Sequence, residues 1–117
     1  MEKYVIPMKL PSLNDYTRAC RSNKFAGAKM KSKLEQEIGL YLIKMPKHDR
    51  PIKINFTWVE STKKRDLDNV CFAKKFILDA MVKYGKLKDD NRKHVTGFTD
   101  KFVYGEKNEV ILEIKEA

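Results

Sequence analysis

The 117-residue sequence has few residues that could build a covalent or metal-bound framework, since it contains only two cysteines and two histidines. Cys20 and Cys71 lie far apart and outside any CxxC or Cys/His spacing, which excludes a disulfide framework and a structural zinc site of the usual kind. No apolar run approaches the roughly 20 residues that a membrane helix needs, and the N-terminus lacks the apolar core of a signal peptide. We therefore expect a reduced, cytoplasmic protein without a membrane partner.

Acidic residues are also scarce relative to basic ones: the sequence has 16 Asp and Glu against 25 Lys and Arg, which gives a formal net charge of +9. With 42% hydrophobic and 35% charged residues, the composition predicts one globular domain over residues 1–117. A positive surplus of this size attracts polyanions, and nucleic acid is the expected partner. An acidic membrane surface is the weaker alternative, because no basic helix with a bulky apolar face stands out.

Apolar spacing predicts two main helices. The first begins at about Ala26 and ends before Pro46, with helical spacing of Met30, Leu34, Ile38, Tyr41, Leu42 and Met45. The second runs from Asp68, which can serve as N-cap, to about Lys83, and Gly85 ends it.

Alternating apolar residues predict the strands. Residues 52–59 alternate strictly, which indicates a strand with one buried face and Trp58 in the core. Further strands are predicted around residues 4–8, 95–103 and 109–115, whereas residues 11–14 resemble a turn and residues 15–25 a basic connection. We expect an α+β fold, a single mixed β-sheet with two main helices packed on it, in the order β-α-β-α-β-β.

The acidic residues that remain are concentrated in two places. Asp66 and Asp68 are two residues apart, so in an extended chain both carboxylates would project to the same side and repel unless a cation lay between them. Oxygen ligands of this kind suit Mg²⁺ or Mn²⁺. Asp89 and Asp90 form a second acidic pair, in a loop that could fold back to complete the site.

A helical projection separates the lysines of the second helix. Lys75 falls on one stripe with Asp68 and Asp79, away from the apolar side, whereas Lys74 points elsewhere. Lys75 could therefore contact a phosphate near the carboxylates. Its pairing with Asp79 could also be an ordinary surface ion pair worth roughly 0.2–0.5 kcal/mol.

Each signal is weak alone, because aspartates are common in turns and at helix starts. Together, the segment RDLDNVCFAKKFILDAMVKYGKLKDDNRKHV, residues 65–95, resembles the RusA family of Holliday-junction resolvases, whose signature includes RDxDN, a D-A-hydrophobic helix end, a glycine and a DD pair. The segment PSLNDYTR, residues 11–18, is similar to a second element of that family. The two matches bracket most of the chain.

The resemblance implies a metal-dependent endonuclease that cuts branched DNA. Asp66, Asp68 and Asp90 match the metal-binding carboxylates, and Lys75 matches the essential lysine when the comparison is anchored on Asp79. This sequence is about one helical turn longer between Asn69 and Asp79, so counting from Asp68 gives Phe72 instead, and Lys74 is the fallback.

The family further implies a homodimer that resolves four-way junctions by paired symmetric nicks in recombination and repair. Mg²⁺ or Mn²⁺ would be the cofactor, and Asp89 could support the ligands. Candidate contacts to the DNA backbone are the basic residues Arg18, Arg21, Lys24, Lys63, Lys64 and Arg65.

Two other interpretations stay open at the level of sequence. A non-catalytic basic DNA-binding module would use the aspartates only to cap helices and offset charge. A phosphotransfer enzyme of the haloacid-dehalogenase type also carries a DxD pair, but there the pair directly follows an apolar strand, whereas residues 61–65 intervene here.

Overall fold

A computed structural model of the chain describes residues 2–117 and contains one four-stranded sheet. The strands β1 (Glu2–Ile6), β2 (Ile52–Glu60), β3 (Val95–Tyr104) and β4 (Glu109–Glu116) lie in the order β1-β4-β2-β3. β4 is antiparallel to both β1 and β2, whereas β2 and β3 are parallel. The predicted mixed sheet and the predicted order of the main elements are confirmed.

The helices cover one face of this sheet. They are α1 (Leu13–Ser22), α2 (Ala26–Tyr41), α3 (Leu67–Cys71) and α4 (Lys74–Lys83). The face of β2 beneath them carries Ile54, Phe56 and Trp58, each at most 2% exposed, as the alternating pattern predicted. Within residues 2–117, no helix is long and apolar enough to cross a bilayer.

Helix α1 corrects the prediction of a turn and a basic connection over residues 11–25. Ser12 Oγ accepts a hydrogen bond from Asp15 N (3.1 Å), and Asp15 Oδ2 accepts one from Ser12 N (2.9 Å). This reciprocal capping box satisfies backbone donors that would otherwise be free at the helix start. The Ser-x-x-Asp spacing in the sequence is the signal that identifies the helix.

The second predicted helix is divided between α3 and α4. Asp66, not Asp68, is the residue before its first turn, and its side chain makes no capping bond. Ala73 N donates to Val70 O and Phe76 N to Ala73 O, so the junction is wound as a 3₁₀ segment. Because residues three apart eclipse in that geometry, Val70, Ala73 and Phe76 all turn toward the core.

The parallel pairing of β2 and β3 determines where the connecting segments lie. Ile52 N donates to His94 O at the start of both strands, and Gly105 N donates to Glu60 O at their ends. The chain therefore leaves β2 at one end of the sheet, crosses back through α3 and α4, and enters β3 at the opposite end.

Candidate metal and DNA-binding site

The Arg65-Asp66-Leu67-Asp68-Asn69 segment follows β2 and is fixed by Arg65. The guanidinium donates to both carboxylate oxygens of Glu60, at 2.8 and 2.6 Å, and to Leu10 O at 2.9 Å. The Arg65 and Glu60 side chains are each only 16% exposed. Arg65, which the sequence offered as a DNA contact, thus ties the segment to the end of β2 and to the chain before α1.

The two segments that carry the sequence resemblance are in contact. Asn69 Oδ1 accepts a hydrogen bond from Asn14 N at 3.2 Å, which joins the start of α1 to α3. A cavity of about 150 Å³ lies at this contact and is lined by Ser12, Asn14, Lys64, Arg65, Asp66 and Asn69. The hydrogen bond between Asn14 and Asn69 was not predicted from the sequence.

Asp66 and Asp68 flank the start of α3, and both residues are exposed. Because Leu67 is already helical, the argument from an extended chain does not apply to their directions. Among residues 2–117, neither carboxylate takes part in a hydrogen bond or an ion pair. Both are therefore accessible to a cation, although a five-residue α3 offers little dipole to attract a phosphate.

Asp15 lies in the same region but is committed to the helix cap. The Ser12 backbone N–H that its carboxylate accepts holds the pKa of Asp15 below its ordinary value, and Arg65 and Arg18 act in the same direction. This carboxylate is therefore a structural group beside the site.

Asp90 lies at the other end of the sheet. Its loop precedes β3 and lies beside Ile52, at the start of β2, whereas Asp66 follows Glu60, at the end of β2. The nine residues of β2 place its two ends roughly 26 Å apart. No three carboxylate, histidine or cysteine side chains within residues 2–117 are grouped to hold one ion. The expected return of the Asp89-Asp90 loop to the Asp66-Asp68 pair is not found within a single chain.

The two candidate lysines have different surroundings. Lys74 Nζ lies 2.6 Å from Asp100 Oδ2 and 4.7 Å from the centre of the Phe98 ring, and its side chain is 19% exposed. Asp100 also accepts from Trp58 Nε1 at 2.9 Å. Lys75 is 57% exposed and has only a 3.5 Å ion pair with Asp79, which Lys31 approaches more closely at 2.8 Å. Of the two lysines, Lys75 has the more exposed side chain and the longer ion pair.

The other candidate DNA contacts lie on exposed parts of two neighbouring elements. Arg18 and Arg21 are on α1, and Lys24 follows it, whereas Lys63 and Lys64 belong to the loop after β2. The contact between Asn14 and Asn69 joins the start of α1 to the helix α3, which follows this loop. A second cavity of about 290 Å³ opens beside the loop, with Trp58, Leu67, Phe102 and Tyr104 among its lining residues.

Comparison with known proteins identifies the family. The model of the family described as endodeoxyribonuclease RusA matches residues 2–115, which is nearly the whole chain. The chain belongs to the RusA endodeoxyribonuclease family. Membership in the RusA family implies an endonuclease that acts on Holliday junctions. A search of curated proteins found no match.

In this RusA chain, two of the three predicted ligands are placed to bind a hard divalent cation. Asp66 and Asp68 supply exposed oxygen ligands, which Mg²⁺ and Mn²⁺ prefer. One chain contributes only this pair, because Asp90 is remote.

Proposed function

We propose that the protein is a metal-dependent, structure-specific endodeoxyribonuclease that resolves Holliday junctions by paired symmetric nicks in DNA recombination or repair. The observation that carries this proposal is the exposed Asp66-Asp68 pair, free of protein partners and held next to basic residues in a RusA-family chain. Metal-assisted phosphodiester hydrolysis uses such a pair, since carboxylates without ion-pair partners can hold a cation against a phosphate.

Asp66 and Asp68 would hold Mg²⁺ or Mn²⁺, and Asp90 would supply a third ligand. The bound cation would lower the pKa of an attacking water and neutralise charge on the phosphate. Lys75 would donate to a phosphate oxygen as its negative charge grows. Arg65 would hold the ligand segment in position through Glu60 and Leu10.

The position of Asp90 makes the homodimer part of the chemistry. Since roughly 26 Å of β2 lies between its loop and Asp66, Asp90 would have to act in the site of another chain. In a twofold dimer, each site would contain Asp66 and Asp68 of one protomer and Asp90 of the partner subunit. Two such sites related by a twofold axis match two symmetric nicks.

Arg18, Arg21, Lys24, Lys63 and Lys64 would bind the DNA backbone. Contacts to phosphates supply affinity without reading sequence, and this affinity falls steeply as salt rises. The net charge of +9 supports the same role.

Asp68→Asn tests the ligand role. We expect it to bind a synthetic four-way junction with unchanged affinity, to lower nicking in Mg²⁺ about 100-fold, and to weaken Mn²⁺ binding measured by electron paramagnetic resonance. Asp49→Asn is the matched control, because Asp49 is 79% exposed and pairs only with Lys47. Equal nicking by Asp68→Asn would refute the ligand role, and binding without nicking by the unmodified protein in any divalent cation would favour the non-catalytic module.

Complementation tests the shared site. Asp68→Asn and Asp90→Asn proteins should each be inactive, yet their mixed dimer contains one intact site if Asp90 acts in the partner, so nicking should return to about a quarter of the normal rate after random exchange. If all ligands came from one chain, every site in the mixture would carry a lesion and no nicking would return.

Lys75→Ala tests the lysine. We expect junction nicking to fall about 100-fold with unchanged Mn²⁺ binding, since Lys75 would act on the phosphate and not on the ion. The control is Lys83→Ala, which removes a lysine from the last turn of the same helix. Normal nicking by Lys75→Ala would transfer the role to Lys74.

A further inference from the structure

The cavity of about 290 Å³ at the end of β2 is lined mainly by aromatic and apolar side chains. Trp58 of β2 pairs with Phe102 of β3, and Tyr104 follows two residues later on the same face of the sheet. The five-residue helix α3 covers this end of the sheet only in part, since Tyr104 is 65% exposed and Leu67 57%. A concave apolar surface with a few polar groups is the usual form of a ligand site.

The floor of the cavity is held in place by interactions within the protein. The Trp58 indole stacks on Phe56, with ring centres 5.5 Å apart, and its Nε1 donates to Asp100 at 2.9 Å. Glu60 and Arg65 also line the cavity and fix each other through two hydrogen bonds. An incoming ligand therefore meets side chains whose positions are already set, which lowers the entropy lost on binding.

A cation lies at the mouth of the cavity. Lys63 Nζ is 5.4 Å from the centre of the Tyr104 ring, and both residues are exposed and line the cavity. An exposed aromatic ring provides a stacking surface for a base, and an ammonium beside it provides a counter-charge for a phosphate. This combination favours a nucleotide over an apolar peptide or a lipid chain, which would leave the ammonium without a partner.

The cavity adjoins the proposed metal ligands. Leu67 lies between Asp66 and Asp68 in the sequence and lines the cavity. Arg65, which precedes Asp66, lines it as well. A phosphate held at the two carboxylates would therefore have one of its own nucleotides beside the cavity.

We propose that this cavity receives one unstacked nucleobase, from a nucleotide next to the phosphate that is cut, and that the base stacks on Tyr104. The inference rests on the proposed function and names the part of the substrate that the site holds. A volume of about 290 Å³ is near the lower end of the range for small-molecule pockets, roughly 300–1,000 Å³, which suits a single base. Extruding a base costs least where the base is already unpaired or poorly stacked, so the cavity would favour a branch point over a continuous duplex.

Photochemical cross-linking tests where the base lies. 5-Iodouracil replaces one base at a time in a synthetic four-way junction, from the crossover outward, and the complex is irradiated without divalent cation so that the DNA stays intact. We expect a position next to the crossover to cross-link to the tryptic peptide of residues 102–107, which carries Phe102 and Tyr104, and positions in the arms to give at least about 10-fold less of this product. A bound junction that gives no cross-link to the residues lining the cavity would overturn the proposal.

Removing the ring and the base separately gives a second measurement. Tyr104→Ala should weaken binding of the intact junction about 10-fold, as expected for the loss of one stacked base. It should weaken binding of a junction with an abasic site at the cross-linking position less than about 2-fold, because the contact is then already missing. Tyr104→Phe keeps the ring and should bind both junctions like the parent. Tyr41→Ala is the matched control, because Tyr41 is an exposed tyrosine at the end of α2, outside the cavity lining.

Two results of this comparison would overturn the proposal. An equal loss of affinity for the intact and the abasic junction would mean that Tyr104 does not contact the base. If a protein segment occupied the cavity instead, Tyr104→Ala would alter self-association in sedimentation velocity and leave the affinity for both junctions unchanged. Circular dichroism checks that each variant is folded, which the exposure of Tyr104 leads us to expect.

The outcomes for the base site and for the function separate. A cross-link to residues 102–107 together with the affinity difference, in a protein that never nicks junctions, would retain the base site and reject the nuclease function. Metal-dependent nicking of junctions without either result would retain the function and reject the base site.

Discussion

Replacing Arg65 with lysine separates a structural role from a DNA contact, because the substitution keeps the charge and removes the planar fork. Arg65 donates three hydrogen bonds, two to Glu60 and one to Leu10 O, and both charged side chains are only 16% exposed. A lysine at position 65 can restore one of these three hydrogen bonds. Bonds to charged groups contribute roughly 1.5–3 kcal/mol each, so after discounting for relaxation we expect Arg65→Lys to lower the free energy of unfolding by about 2 kcal/mol.

The measurement is thermal unfolding followed by circular dichroism. For a chain of this size, about 2 kcal/mol corresponds to a fall in Tm of about 8 °C. The salt dependence of junction binding should stay unchanged, since the charge is kept. Lys64→Ala is the matched comparison, with Tm near that of the parent and a salt slope reduced by about one phosphate contact. A Tm for Arg65→Lys within about 2 °C of the parent would refute the structural role.

Three further results follow from the packing and the charges. Because the pKa of Asp15 is lowered on folding, its contribution is present above its unfolded pKa and is lost as pH falls through the folded pKa. In urea unfolding, Asp15→Asn should therefore cost about 0.5–1 kcal/mol at pH 7, and the cost should shrink as pH falls below the unfolded pKa. Lys74→Met should lower stability by about 1–2 kcal/mol in the same assay, since Asp100 loses a largely enclosed partner, and no change would show that the pair is solvent-screened. Phe56→Ala should cost about 3–5 kcal/mol because the ring is fully buried, whereas Phe25→Ala, at a ring 70% exposed, should change stability by less than about 0.5 kcal/mol.

The strands were predictable because each buries one face, so that apolar residues recur at every second position. The alternation of apolar residues over 52–59 correctly predicted β2 and the burial of Trp58, and the pattern over residues 109–115 predicted β4. Helix α1 was missed because it is rich in polar residues and none of its residues is fully buried, although the Ser12-Asp15 capping box marks its start.

The residue types of the site could be predicted from the sequence, but the distances between those residues could not. Neighbours in sequence, such as Asp66 and Asp68, were identified together, but the separation of Asp90 depends on β2 and β3 being parallel. Strand direction is decided by long-range pairing, which leaves no local pattern. The 3₁₀ junction likewise depends on burying Val70, Ala73 and Phe76 at once, so a regular helical projection could not anticipate it.

The arrangement of β4 has a consequence for how the chain folds during synthesis. β4 lies between β1 and β2 but follows every other strand in sequence, so Glu2 pairs with Ile114 across nearly the entire chain. Until residues 109–116 leave the ribosome, β1 has no partner and β2 can pair only with β3. Such non-local contacts slow folding, and an incomplete sheet with open edges is prone to aggregate. We expect folding to be late and all-or-none, and loss of the last strand to abolish it.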